Sequence, residues 1–574
     1  MSALNSLDHF DVAIIGGGPA GSTVGCLLKK YNPDLRVVIF EREVFPRDHV
    51  GESLLPPISP ILVEMGCWDK VEAADFPIKI GATLRWGKNP ELWDFEFFPA
   101  ESFKDEPRPA KYEGQRRLTA FQVDRAIYDD ILLRHSSEMG CDVRQGAKVA
   151  AVLSEGEKVT GLRLDSGQTI TARYYVDASG NSGILRRALN VNCDYPSTLQ
   201  NIAIWDYWQN AEWAVKIGVG ATRIQVRSLT YGWLWFIPLG PTRTSIGFVV
   251  PVEYFKRLGK RPAEIYRQAL EEEQAIAALL KDASSEGRLE TTKDWSFLAE
   301  KQVGDNWFLV GESAGFADPI LSAGVSMAQI GAQQAAYTIL ELDRKTLEPD
   351  WLKEEFGKRQ KRRISTHISF ADYWYVANAQ FSDLKVFTAE LAKANGLDLT
   401  PDKAWRWLAQ GGFIDEDLTV GAGGFNLLSI RSSTDFLTDL ATDSPLEENN
   451  VLKLDLAGAT WQDGASYSEG RVSKSPCYVR DGKVLPLRGH FGILVQLLQR
   501  ETSLPKIVEA MDHMAKARAA DPVAMTFLSM LPEAMEGMIR DGWITASYDP
   551  KQPRAMLTNS GAGFHLNRDT ITEP

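Results

Sequence analysis

A glycine turn held between an apolar run and a helical segment constrains this chain more than any other feature. Asp11-Val-Ala-Ile-Ile15 is continuously apolar and reads as a buried parallel strand. Gly16-Gly-Gly-Pro-Ala-Gly21 follows, and residues 22–30 have helical composition with no breaker. Leu35-Arg-Val-Val-Ile-Phe40 is a second apolar run, and it closes on Glu41. Strand, glycine turn, helix, strand and acid make one βαβ unit, the dinucleotide-binding fingerprint in its proper context. Gly16 permits the tight turn, Gly18 lets the backbone approach a pyrophosphate, and Gly21 lets helix and strand pack closely. Ala20 lies in the same turn. The helix N-terminus offers free N–H groups and partial positive charge to phosphates. Glu41 is placed to accept hydrogen bonds from ribose hydroxyls. Gly218-Val-Gly220 and Gly421-Ala-Gly423 do not repeat the pattern. A second nucleotide fold for NADPH is therefore not evident, and reducing equivalents have to come from elsewhere.

Residues 56–65, 123–139, 262–280 and 325–342 read as helices, and 142–152, 159–164 and 170–177 as strands. From about 200 to 250 the chain is rich in Trp, Ile, Val and Thr, a β-sheet composition. The fold class predicted is α/β, Rossmann-like, with an inserted β-sheet substrate lobe at about 198–300. A composition shift near 345–349 divides a core of 1–345 from a mainly α-helical C-terminal domain of 346–574. Within the latter, 443–450 reads as a surface loop or linker and 486–543 as two or three short helices.

Composition removes several partners. Lys plus Arg is 63 against Asp plus Glu 76, a formal net charge of -13. An acidic chain repels phosphate backbones, so nucleic acid is not expected as a partner. No apolar run is long enough to predict a membrane span, and residues 1–10 lack the pattern of an export signal. The five cysteines and seven histidines show no metal-ligand spacing, so no metal is expected. Scattered, odd-numbered cysteines fit a reducing cytoplasm.

Further segments carry a family resemblance. Phe45-Pro-Arg47 with Gly51-Glu-Ser53, Val176-Asp-Ala-Ser-Gly180 and Gly311-Glu-Ser-Ala through Asp318-Pro319 join the glycine fingerprint. Trp233-Leu-Trp-Phe-Ile-Pro238 fits WxWxIP. With these motifs, residues 10–345 resemble the flavin-dependent halogenases, which share the fold of the aromatic hydroxylases. The resemblance implies an FAD site that includes Arg47, Ser53, Gln122, Arg125, Asp177, Glu312 and Asp318. Glu312 stands where an Asp or Asn is more usual. It implies that Trp233 and Trp235, with Ile237 and Pro238, wall the flavin off from substrate.

The resemblance also implies a mechanism. FADH2, supplied by a separate flavin reductase, reacts with O2 to give a C4a-hydroperoxide. Chloride or bromide, held at Ala323 and Gly324, is oxidised there to hypohalous acid. That species travels to a catalytic lysine, matched here by Lys79 in Phe76-Pro-Ile-Lys-Ile-Gly-Ala-Thr83. Ser322 is a second catalytic candidate. Free-tryptophan halogenases carry a glutamate beside that serine, and here Leu321 precedes it. The departure favours phenols, pyrroles or carrier-tethered acyl groups, whose own oxygen or nitrogen activates the ring. Two rivals remain open at this point: an aromatic monooxygenase or prenyl reductase on the same fold, and a non-catalytic flavin-binding partner of a carrier protein.

Overall fold

The structure, a computed structural model, describes residues 8–85, 92–195, 200–293, 296–377, 445–481, 483–529, 531–554 and 564–566. Its first sheet is the one the glycine fingerprint requires. Strands Asp142–Gln145, Val37–Glu41, Asp8–Ile15 and Thr169–Asp177 lie side by side in parallel, and Trp307–Leu309 pairs with the last of them. Val12, Ala13 and Ile14 are fully buried, as a strand covered on both faces must be. Helices Pro19–Tyr31 and Gly324–Arg344 pack against one another over this sheet. The second of these buries sixteen of its residues, so it is a core helix rather than a surface one. Antiparallel strands Lys158–Leu164 and Val149–Glu155 extend the sheet on its far edge.

The second sheet runs, among the described residues, through strands Asn201–Gln209, Arg243–Pro251, Gly232–Pro238, Ala221–Leu229, Ile78–Arg85 and Trp93–Glu96. Its face bearing Trp205, Ile224, Val226, Trp233, Trp235 and Ile237 joins one hydrophobic core with Ile15, Phe40 and Met327 of the nucleotide-binding half. The opposite face carries Leu234, Phe236 and Phe248 under helix Pro262–Glu272. Alternation along Gly232–Pro238 thus serves two cores, which is why every residue of that strand is buried. The β-rich lobe expected at about 198–300 is this sheet, enlarged by strands from residues 78–96.

Beyond residue 345 the described residues hold more helix than strand, and the strands are the part that was not expected. Helix Pro349–Ala377 is followed by strands Thr460–Ser468, Arg471–Arg480 and Lys483–Pro486, and by the pair Val451–Leu454 with Ile544–Ser547. Four helices follow residue 488: Gly489–Leu498, Leu504–Ala517, Pro522–Ser529 and Leu531–Arg540. The strands escaped the sequence reading because buried side chains are sparse along them: Ala465, Val472 and Cys477 are the buried apolar ones in the two longest, and Trp461 is 59% exposed. Half of the expected linker is helical, at Pro445–Glu448, with Leu446 in a separate core around Leu494 and Trp543. Residues 378–444, and with them Gly421 and Gly423, lie outside the described residues. No described helix is long and apolar enough to cross a membrane, and none of the five cysteines is in a disulfide.

Candidate active site

A cavity of about 530 Å³ opens between the carboxyl ends of the parallel strands and the indole-bearing face of the second sheet. That is where ligands bind in open α/β folds. Gly16, Gly18, Ala20 and Glu41 line one wall. Glu41 accepts from the Gly17 N–H at 2.8 Å and the Glu43 N–H at 2.9 Å, which fixes its carboxylate at the strand end. Gly21 does not touch the cavity. A Cβ there would stand 1.9 Å from the Gly16 carbonyl oxygen, so its role is the close helix–turn approach.

The facing wall is Ile224, Val226, Trp233, Trp235 and Ile237. The two indole rings lie 5.9 Å apart and are tilted by 52°. Trp235 Nε1 donates to Ser245 Oγ at 3.1 Å, so the ring's one polar atom is satisfied away from the cavity. Pro238 ends the strand behind this wall and does not line it.

Arg47, Ser53, Arg125, Glu312, Ser322 and Gly324 also line the cavity. Arg125 is held in a bidentate pair with Asp129, at 2.6 and 2.8 Å, and its remaining nitrogen donates to the Val50 and Gly51 carbonyls. Burial opposes its charge, but Asp129 more than offsets this and keeps its pKa above the usual value. Arg47 reaches the same carboxylate at 3.3 Å. Burial pushes the Glu312 carboxyl above its usual range.

Four candidates stand behind the lining. Asp177 accepts from the Ser179 N–H and Oγ and from the Leu185 and Arg186 N–H groups, at 2.6–3.4 Å. It shapes the 178–184 turn that faces the cavity rather than facing it itself. Asp318 accepts from the Ile320 N–H at 2.9 Å and caps the short turn that presents Ser322. Ala323, the residue before Gly324, is buried and does not line the cavity. Gln122 is fully buried outside the lining.

Lys79 sits in strand Ile78–Arg85, separated from the Trp233 strand by the single strand Ala221–Leu229. It is 2% exposed. Its ammonium lies 5.4 Å from the centre of the Phe97 ring, and Phe97 packs on the core that holds both indoles. Among the described residues it has no hydrogen-bond or ion-pair partner. Burial alone lowers its pKa to about 7.

Sequence reasoning missed Glu52. It lines the cavity at 2% exposure and accepts from the Tyr207 hydroxyl at 3.0 Å. Burial raises its pKa to about 7, with Tyr207 and the Gly51 N–H opposing. The residue stood in the Gly51-Glu-Ser53 motif, and only its burial was invisible. A raised carboxyl stabilises the fold fully below its unfolded value of 4.5 and loses that contribution as pH rises to about 7. Glu52→Gln removes the titration. Its stability relative to wild type is expected to climb by on the order of 3 kcal/mol between those limits and then level off, as read from denaturant melts of the apoprotein. A pH-independent difference would remove Glu52 as the titrating group.

The residues present fit a bound dinucleotide. Helices Pro19–Tyr31 and Gly324–Arg344 both point their N-termini at the cavity, the arrangement that favours phosphate oxygens. Ser53 Oγ is buried in the wall with no hydrogen-bond partner in the protein. Glu41 lies at one end of the lining, and apolar side chains, the indoles among them, form the facing wall. Together, fold and cavity define a flavin-dependent oxidoreductase that binds FAD.

The comparisons make the class specific. The family model described as tryptophan halogenase matches residues 11–107 and 100–385, and the chain belongs to that family. It is 32% identical over 395 residues to the 1H-pyrrole-2-carbonyl-[peptidyl-carrier protein] chlorinase of Pseudomonas fluorescens, covering 65% of this chain and 86% of that one. It is also 32% identical to the tryptophan 2-halogenase of Chondromyces crocatus, covering 57% of this chain and 60% of that one. Among solved structures, the myxobacterial chondrochloren halogenase CndH matches with a TM-score of 0.59 at 29% identity, over 75% of this chain and 97% of that one. The flavin-dependent halogenase CmlS shares the fold over 96% of this chain and 98% of its own, with a TM-score of 0.68 at 23% identity.

Proposed function

We propose that this chain chlorinates or brominates an electron-rich phenolic or pyrrolic ring, free or tethered to a carrier protein, with Lys79 as the group that delivers the halogen. The observation that carries this reading is an enclosed lysine with no counter-ion, one strand away from the indole wall. A buried ammonium without a carboxylate is costly, and such costs persist where the group has work to do. With a pKa near 7, Lys79 is available both as a donor to hypohalous oxygen and as a free amine.

The chemistry supplied at the cavity is two-electron oxidation of halide by O2 at reduced FAD, which a separate flavin reductase provides. Gly324, at the start of the long helix, and Ala323, which caps that helix, offer backbone N–H groups to the halide. Ser322, held at φ 53° on the cavity wall, precedes these two residues and assists by hydrogen bonding. Trp233 and Trp235 keep the substrate ring from the oxidant's source. Arg47, Arg125, Glu41 and Ser53 bind and orient FAD. The region 346–574 forms a domain that covers the substrate side. Supporting this, helix Pro522–Ser529 packs on the Gly114–Arg117 turn, and Arg117 faces Asp521 at 3.8 Å. That turn leads into Ala120–Phe121, the strand paired with Lys79. Unpaired cysteines fit a cytoplasmic setting.

Leu321 in place of a glutamate argues for rings that activate themselves, and the Pseudomonas fluorescens relative is named for a carrier-bound pyrrole. The test is product mass spectrometry. The protein, FAD, a flavin reductase and NADH are offered phenols, pyrroles, indoles and pyrrolyl-carrier protein in chloride and in bromide. A halogen isotope pair on a phenol or pyrrole is expected. Oxygen addition alone would overturn the reading in favour of a hydroxylase.

A further inference from the structure

The resemblance implies Gln122 as a flavin ligand, yet its side chain is fully buried outside the cavity lining, and both its amide nitrogen and its amide oxygen lack a partner in the protein. Leaving an amide donor and acceptor both unmet in the interior costs free energy, and such groups call for an explanation. The strand geometry offers one. On one edge, the segment containing Gln122 pairs with the cavity wall: Ser53 bridges Gln122, and the Leu54 N–H donates to the Phe121 carbonyl at 3.0 Å. On the other edge it pairs with the lysine strand: Lys79 is in register with Ala120, and the Gln122 N–H donates to the Pro77 carbonyl at 2.9 Å. Alternation puts Gln122 on the same side of its segment as Ala120, which is the lysine's partner. Register thus sets Ser53 at the cavity, Gln122 on the segment beside it and Lys79 on the next strand, with the three side chains on one side of the sheet. Ser53 Oγ and both polar atoms of the Gln122 amide have no hydrogen-bond partner among the described residues.

We propose that Gln122 is the intermediate station of the passage from the flavin cavity to Lys79, where its amide hydrogen-bonds hypohalous acid in transit. The chemistry of recognition is matched. Hypohalous acid has one O–H to donate and an oxygen to accept, and a primary amide offers one acceptor and a donor pair. A halide ion would use only the donor. The amide makes and breaks no covalent bond; it is a positioning group between two reacting centres. The inference rests on the halogenation reading above, and its test separates the two.

The variant is Gln122→Leu in the full chain, with Gln122→Asn as the conservative control. If the amide serves the passage, leucine removes two unmet polar atoms from the interior, so the melting temperature rises by about 2 °C or more. The FAD dissociation constant stays unchanged. Halogenated product per NADH consumed falls about tenfold, and oxidant trapped by a free halogen scavenger rises to match. Asparagine restores part of the product. Opposite signs for stability and product are what a merely structural glutamine would not give. A weakened FAD affinity would overturn the proposal and return Gln122 to the flavin site. Unchanged product partition would overturn it as well, leaving water as the amide's only guest. If wild type itself makes no halogenated product, the halogenation reading fails, and Gln122 falls with it.

Discussion

Lys79→Met is expected to abolish halogenated product while making the protein more stable. The two effects come from one cause. Lys79 is buried without a counter-ion, and burial lowers its pKa from 10.5 to about 7. A depressed lysine withholds stability at low pH, because the unfolded chain binds a proton that the folded chain resists. The penalty is full below about pH 7 and disappears as pH rises to the unfolded value of 10.5. At pH 7 it is on the order of 4 kcal/mol. Methionine keeps the stem's volume and removes the charge. The variant's gain over wild type is then largest at pH 6–7 and closes toward pH 10, as measured by denaturant midpoints of the apoprotein. Product formation falls by about 10²–10⁴-fold, the scale of a positioned proton donor, while FAD affinity and NADH-driven peroxide release persist. Retained halogenation in the variant would take Lys79 out of the mechanism. A gain that did not depend on pH would show that the ammonium is not the source of the cost.

How much of this was readable beforehand differs from element to element. The first strand, glycine turn and helix were legible because each residue there answers a local demand. Periodicity, turn geometry and helix-end chemistry all sit within thirty residues. The strand of Lys79 was not assigned, although Ile78-Lys-Ile-Gly-Ala-Thr-Leu-Arg85 alternates apolar Ile78, Ile80, Ala82 and Leu84 with other residues. That period-two signal was available. What no local pattern could show was its pairing with residues 221–229, some 140 positions on, which sets the lysine strand one strand away from the indole strand. Asp177 and Asp318 illustrate a second gap. A carboxylate that caps a turn and one that binds a ligand occupy the same motif, and only the hydrogen bonds each accepts in the folded chain separate them. Glu52 illustrates a third, since burial and the Tyr207 contact are tertiary facts. The strands at 451–486 were lost for the reverse reason: a sheet with one sparsely buried face carries little apolar periodicity.

Trp235→Ala is expected to uncouple the enzyme. The indole is 4% exposed, lines the cavity and is pinned from two directions. Its Nε1 donates to Ser245 Oγ, and its six-membered ring lies flat enough against Gly247 that a Cβ there would stand 2.1 Å from it. Gly247 is thus a space kept for this ring. Removing the ring leaves a void beside Trp233 that the sheet cannot close, because its backbone is fixed by register pairs on both sides. The loss of packing costs about 3–5 kcal/mol. Water or substrate then reaches the region the indoles had closed, and oxidising equivalents are lost as hydrogen peroxide. Peroxide per NADH rises severalfold and halogenated product falls by at least about tenfold, roughly the effect of losing one well-placed barrier of 1.4 kcal/mol. Trp235→Phe separates shape from hydrogen bonding: it refills most of the void and leaves Ser245 without its donor. If exclusion is the function of the ring, phenylalanine restores coupling more than it restores stability. Equal peroxide yields from wild type and the alanine variant, at equal FAD occupancy, would mean that the indoles fill a core and wall off nothing.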